Sequence, residues 1–280
     1  MKSLETIVQT LIINGTLTDS PGLFYGKTGI AVFFFNYARQ TGNELFYDYA
    51  IDLIDKIQDQ ITVSISAQYD IGLAGIGVGF EYFVQNGFLE ADDNDIFEDL
   101  DARMYRITMY EPYSDLNIEG GLTGWGRYFI FRLKGNGKKD RKLYKALNHI
   151  AMEISQKITN NTVSESERLD VYRFFYDLTT LHEDFDKYRN TLQKCMKWEC
   201  IRRLEIQKIF PYMNNLQRLL SCQKYFNLDL TKKIEKEWIQ WKEFDKDVII
   251  DLGLLKGWTM EGLLYLASVN KNNISWINLL

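Results

Sequence analysis

An all-α fold, arranged as an α/α toroid of about six helix pairs, is what this sequence predicts, and three observations carry that expectation. Proline, which breaks helix interiors, occurs only three times in 280 residues. Glycine occurs nineteen times, and fourteen of these fall in four short clusters: 22, 26 and 29; 72, 75, 77 and 79; 120, 121, 124 and 126; 253, 257 and 262. Finally, each cluster runs into an apolar, aromatic stretch, and the four superimpose on one motif. Composition is otherwise ordinary, 46% apolar and 25% charged, which excludes global disorder.

The first copy reads Gly22-Leu-Phe-Tyr-Gly26-Lys-Thr-Gly29-Ile-Ala31 and continues VFFFNYARQTG. The second reads Gly72-Leu-Ala-Gly75-Ile-Gly77 before VGFEYFVQNG, and the third Gly121-Leu-Thr-Gly124-Trp-Gly126 before RYFIFRL. The fourth is Gly253-Leu-Leu-Lys-Gly257-Trp-Thr-Met-Glu-Gly262 before LLYLASV. Glycines 26, 72, 121 and 257 align, at intervals of 46, 49 and 136 residues. The last interval holds about three periods, so two further copies without the glycine signature are expected, starting near 166 and 211. A helix opening on such glycines is apolar nearly all round and should be buried.

Each repeat also carries a second, one-sided helix. Residues 43–59 place Leu45, Phe46, Tyr49, Leu53, Ile54 and Ile57 at helical spacing, with Asn43 as the N-cap. Residues 142–158 do the same with Leu143, Leu147, Ile150, Ile154 and Ile158. Buried helices enclosed by one-sided ones give the toroid, with an open helical solenoid as the competing architecture. The chain is read as one domain over 1–280. Residues 231–246 (TKKIEKEWIQWKEFDK) should form an exposed helix whose Ile234, Trp238 and Trp241 side packs inward or on a partner.

These motifs resemble the lanthionine synthetase C-like family, whose repeated helices open with G-L-x-x-G-x-(A/S/T)-G-(I/V), as GLFYGKTGIA does at 22–31. The stretches GLAGIGVGFEYFVQNGF at 72–88 and GLTGWGRYF at 121–129 are similar in the same way. The resemblance covers 20–135 well and 250–268 partly, leaving a divergent glycine-free part at 138–252. It implies the toroid and, in active cyclases, a zinc ion that activates peptide cysteine thiolates for addition to dehydrated Ser or Thr. The family's zinc ligands lie in Trp-Cys-x-Gly and Cys-His-Gly segments, and neither is present in this sequence. Cys195 and Cys200 are five apart, about 140° around a helix. A non-standard site could draw only on residues such as Cys195, Cys222 and His182. No metal and no cofactor are therefore expected.

Acids beside the glycines are the candidate catalytic residues: Asp70, Glu119 and Asp251 stand two residues before Gly72, Gly121 and Gly253. Carboxylates facing one another across a cavity can hydrolyse glycosidic bonds. Alternatively each acid caps its own helix. Glu81 and Glu261 lie inside buried helices, where pairing with an Arg or a Tyr hydroxyl is the default. Tyr25, Trp125 and Trp258, inside the glycine motifs, are candidates to line a ligand cavity, or to pack in the core. Gly26-Lys27-Thr28 is similar to a phosphate-binding loop, but Pro21 occupies the place of that loop's first glycine.

A formal net charge of −5 offers no basic excess for nucleic acid. No apolar run approaches the roughly 18 residues of a membrane span. With three cysteines and no secretory signal, a cytoplasmic protein is expected. The leading functional expectation is a divergent, zinc-free relative of the lanthionine cyclases that binds a peptide or partner protein during peptide maturation. A carbohydrate-active enzyme and a non-catalytic scaffold are the alternatives.

Overall fold

In a computed structural model the described residues are 3–90, 94–113, 115–135, 140–198, 201, 215–243, 251–255, 257–270 and 274–280. Every regular element among them is helical. In chain order these are α1 (Leu4–Gly15), α2 (Lys27–Thr41), α3 (Glu44–Gln60), α4 (Leu73–Gln85), α5 (Asn94–Tyr110) and α6 (Leu122–Lys134). There follow α7 (Arg141–Thr159), α8 (Arg168–Thr179), a 3-10 turn (Glu183–Tyr188) and α9 (Arg189–Cys195). The last are α10 (Asn215–Phe226), α11 (Thr231–Glu243), α12 (Trp258–Val269) and a 3-10 turn (Ser275–Leu279). The all-α expectation holds. The chain divides into two compact units, Met1–Ser64 with Ile206–Leu280, and Ile65–Glu205.

The glycine-opened helices are buried, and α8 is buried with them. Eleven of the thirteen residues of α4 are buried, and so are eleven of thirteen in α6. Only four of seventeen are buried in α3, which turns one stripe inward as its amphipathic pattern requires. Asn43 caps α3 as predicted, accepting the Leu45 N–H at 3.0 Å. Leu45, in the first turn, instead points to solvent.

The motif glycines do two jobs. At the N-cap, the chain folds back so that the first helical N–H donates to the carbonyl seven residues earlier. These bonds run Lys27 to Ser20 (2.9 Å), Leu73 to Ser66 (2.8 Å), Leu122 to Asp115 (3.1 Å) and Trp258 to Asp251 (3.0 Å). A Cβ on Gly26, Gly72, Gly121 or Gly257 would strike that same carbonyl oxygen, so the turn excludes any other residue. Thr28, Thr123 and Thr259 tie the turn further, donating their hydroxyls to Pro21, Leu116 and Leu252 carbonyls at 2.6, 2.7 and 2.5 Å.

Five residues further on, the glycine serves packing. A Cβ at Gly77 would overlap the Tyr128 ring, at Gly126 the Phe174 ring, and at Gly262 the Phe33 ring. Each ring lies seven residues past the N-cap of its own helix. In the second unit α4 thus receives α6, and α6 receives α8. In the first unit α12 receives α2 by the same contact, so the end of the chain packs on its beginning in the register used by consecutive repeats.

The glycine-free repeat start predicted near 166 corresponds to α8, whose N-cap is Glu167. Its backbone there is helical (φ −86°, ψ −20°), unlike the extended Gly72 and Gly121. Glu167 instead folds its side chain back on the preceding turn, where Oε2 accepts the Ser164 N–H at 2.9 Å and the Ser164 hydroxyl at 2.5 Å. The start predicted near 211 lies outside the described residues.

One buried ion network braces the second unit. Arg132 of α6 donates to Glu81 of α4 and, in a two-pronged bond, to Asp101 of α5, with Nε–Oδ1 at 3.0 Å and Nη2–Oδ2 at 2.8 Å. The Tyr128 hydroxyl donates to Asp101, and the Phe97 ring covers the guanidinium at 3.9 Å. Glu81 therefore has the arginine partner that a carboxylate on an apolar helix requires.

Two stability measurements follow from this packing. Gly126→Ala should cost about 1–3 kcal/mol in urea denaturation, and Phe174→Leu in that background should restore part of it by making room. Arg132→Met strands two carboxylates in the interior and should cost about 3–5 kcal/mol by the same method.

Candidate functional site

The residues singled out by sequence gather at helix starts, in two separate groups. In the second unit the Glu119 carbonyl accepts the Tyr69 N–H at 2.7 Å and the Asp70 N–H at 3.4 Å. The structure thus brings the backbones of Asp70 and Glu119 together. Asp70 is half-buried, and burial pushes its carboxyl above the ordinary value, against the opposing pull of the Ile71 N–H, which it accepts at 2.9 Å. Glu119 is exposed. Asn117 fastens the loop between them, its side-chain oxygen accepting the Gly120 and Gly121 N–H groups at 2.9 and 3.2 Å.

Asp251 belongs to the first unit and is not the equivalent of these two acids. The helix-opening glycine of its repeat is Gly257, so Asp251 sits six residues before the N-cap, whereas Asp70 and Glu119 sit two before. Its carboxylate accepts the Gly253 N–H at 2.7 Å, an Asx turn that shapes the loop. Asp115 occupies the same register and does the same for the Asn117 N–H at 3.2 Å. The two-residue spacing of Asp251 is to Gly253, an additional glycine that lies ahead of the N-cap Gly257.

Among the aromatics, Trp125 and Trp258 are packed inside, 6% and 8% exposed. Tyr25 keeps 37% of its surface and lies beside Gly253, so it alone of the three offers a face to a ligand. Lys27 is unavailable to a phosphate. Its ammonium is buried, donating to the Thr18 carbonyl and to Gln60 Oε1 at 3.0 Å, while Thr28 is spent on Pro21.

A cleft of about 590 Å³ opens in the first unit between α10, α11 and the C-terminal turn, lined by Leu220, Ile234, Trp238 and Ile277 together with Lys224 and Glu235. Ile234 is buried against it, as its helical spacing suggested. The side chain of Trp241 lies outside the described residues.

Between α6 and α8 lies a charged group that no motif in the sequence marks. Arg127, Asp170, Arg173 and Asp177 are each no more than 9% exposed, and Arg127 stands 4.0 Å from Asp177. Burial raises the Asp170 carboxyl, opposed by Arg173, the Ile118 N–H and Arg127, while Glu119 adds to the rise. Arg127 and Arg173 each fall six residues past their N-caps, where α2, α4 and α12 carry Val32, Val78 and Leu263. That shared register was the one signal available in the sequence.

The zinc site of the resembled family does not fit these residues. The Cys195 thiol is fully buried and pushed by burial to about 12, far from the thiolate a metal needs. His182 uses Nδ1 to accept the Asp184 N–H at 3.3 Å. Cys200 lies outside the described residues. Among the described residues no group of three His, Cys, Asp or Glu side chains could hold a metal ion. Nor is any described helix long and apolar enough to cross a membrane. No protein-family model matches this chain, and no curated protein matches it.

Glu167 gives this region a pH signature. Burial would raise its carboxyl, but bonds from the Ser164 hydroxyl, the Leu116 N–H and the Ser164 N–H, with the Lys157 charge, hold it below 4.5. Its contribution is therefore complete above pH 4.5 and is lost as pH falls through the depressed value. In denaturation series, Glu167→Gln should be less stable than the parent at neutral pH, and the gap should close below that window.

Proposed function

We propose that this chain is a divergent relative of the lanthionine synthetase C-like proteins, an α/α toroid that binds a peptide or partner protein in peptide maturation without zinc-activated thiol chemistry. The observation that carries this reading is the repeated helix-opening motif. Four glycine turns and three glycine-on-ring junctions recur in one register, as the family resemblance of residues 20–135 and 250–268 leads one to expect. The buried, strongly raised Cys195 thiol and the engaged His182 support the zinc-free part of it. Tyr25, exposed at the start of α2 and beside the Asp251 turn, is the residue best placed to stack on a bound peptide.

The test is isothermal titration of the full chain with a synthetic linear peptide rich in Cys, Ser and Thr, followed by mass and thiol analysis of the peptide. Saturable binding in the micromolar range, weakened about fivefold to tenfold by Tyr25→Ala, with peptide mass and thiols unchanged, is the expected result. Absence of binding would remove the reading. One equivalent of tightly bound zinc with loss of peptide thiols would replace it with a working cyclase.

A further inference from the structure

We propose that the seam between α6 and α8 is a latch, closed by the side chains of Glu167 and Asp170, at which the second unit opens locally while its α4–α6 junction stays shut. Consecutive buried helices are joined near their starts by a hydrogen bond in a fixed register, donated by the residue three before the N-cap. At α4–α6 that donor is the Tyr69 N–H, and the acceptor is the backbone carbonyl of Glu119, at 2.7 Å. At α12–α2, within the first unit, the Leu254 N–H donates to the Phe24 carbonyl at 2.8 Å. At α6–α8 the same donor position is Ile118, but its acceptor is a side chain, Asp170 Oδ2 at 3.0 Å. A second side chain, Glu167 Oε1, accepts the Leu116 N–H at 2.7 Å.

The difference has mechanical content. A carbonyl acceptor moves only if its turn unwinds, whereas a carboxylate withdraws by rotation about its own side-chain bonds. Release of Glu167 and Asp170 frees residues 116–118 from α8 without disturbing the capping turn of α6, whose bonds from Leu122 to Asp115 and from Thr123 to Leu116 are local to it.

Burial of charge lowers the cost of opening at this seam, which encloses the four side chains Arg127, Asp170, Arg173 and Asp177. Their return to water offsets part of the lost contact, because burying charge is expensive even when it is paired.

Hydrogen exchange with mass spectrometry on the native full chain tests the latch. Residues 116–118 and the first two turns of α8 should show protection factors about tenfold or more below those of residues 69–71 and the first two turns of α4. Asp170→Ala should lower protection at the seam by about a further tenfold and leave residues 69–71 and 254–255 unchanged. Asp170→Asn keeps an acceptor oxygen and should stay closer to the parent, which covers the case that the alanine variant fails to fold. Equal protection at the two junctions of the native protein would overturn the proposal. So would a loss of protection spread evenly over both units in Asp170→Asn.

Discussion

The depth to which one buried helix can sit against the next is set by a glycine lying under an aromatic ring, and most of the rest of this structure is arranged around that contact. Gly77 under Tyr128, Gly126 under Phe174 and Gly262 under Phe33 bring backbone and ring into direct apposition. No side chain can be interposed, so neighbouring helices are locked in one register as well as one separation. The lock requires each helix to start at the same level, and the glycine turn at its N-cap provides this. That turn returns the chain onto its own carbonyl in a path too tight for a Cβ.

The repeat opened by Glu167 reaches a similar alignment by different chemistry. It keeps the ring, Phe174, and receives the glycine of α6, but it has no glycine turn of its own. Carboxylates of Glu167 and Asp170 satisfy the amides of Leu116 and Ile118. A backbone solution has become a side-chain solution, and charge has been taken into the interior with it. Arg127, Arg173 and Asp177 accompany Asp170, whereas α2, α4 and α12 carry Val32, Val78 and Leu263 at the register of the two arginines. Burial of those charges carries a desolvation cost that aliphatic side chains at the same register avoid.

Much of the site chemistry suggested by spacing becomes local structure once contacts are known. Lys27 and Thr28 have the identities of a phosphate-binding loop, yet both are consumed by carbonyls and an amide of their own unit. Asp251 closes an Asx turn, while Asp70 and Glu119 sit on adjoining backbones. Spacing along the chain tells which residues share a register. It does not tell which polar groups a fold-back turn leaves in need of a partner, and these small polar side chains were drawn to that need.

From the sequence alone, the helical class, the positions of the glycine-opened helices, the start of a glycine-free repeat near 166 and the one-sided character of α3 and α7 could all be determined. Those properties follow from local periodicity and from the intolerance of particular backbone positions to a Cβ, both of which are written in residue identity. Only the tertiary structure decided that α12 packs on α2, that Trp125 and Trp258 turn inward, that Arg132 joins Glu81 to Asp101, and that two carboxylates of α8 accept the α6-side amides where the other junctions use a backbone carbonyl. These depend on which distant groups meet, and on the demand that every buried amide and charge find a partner there.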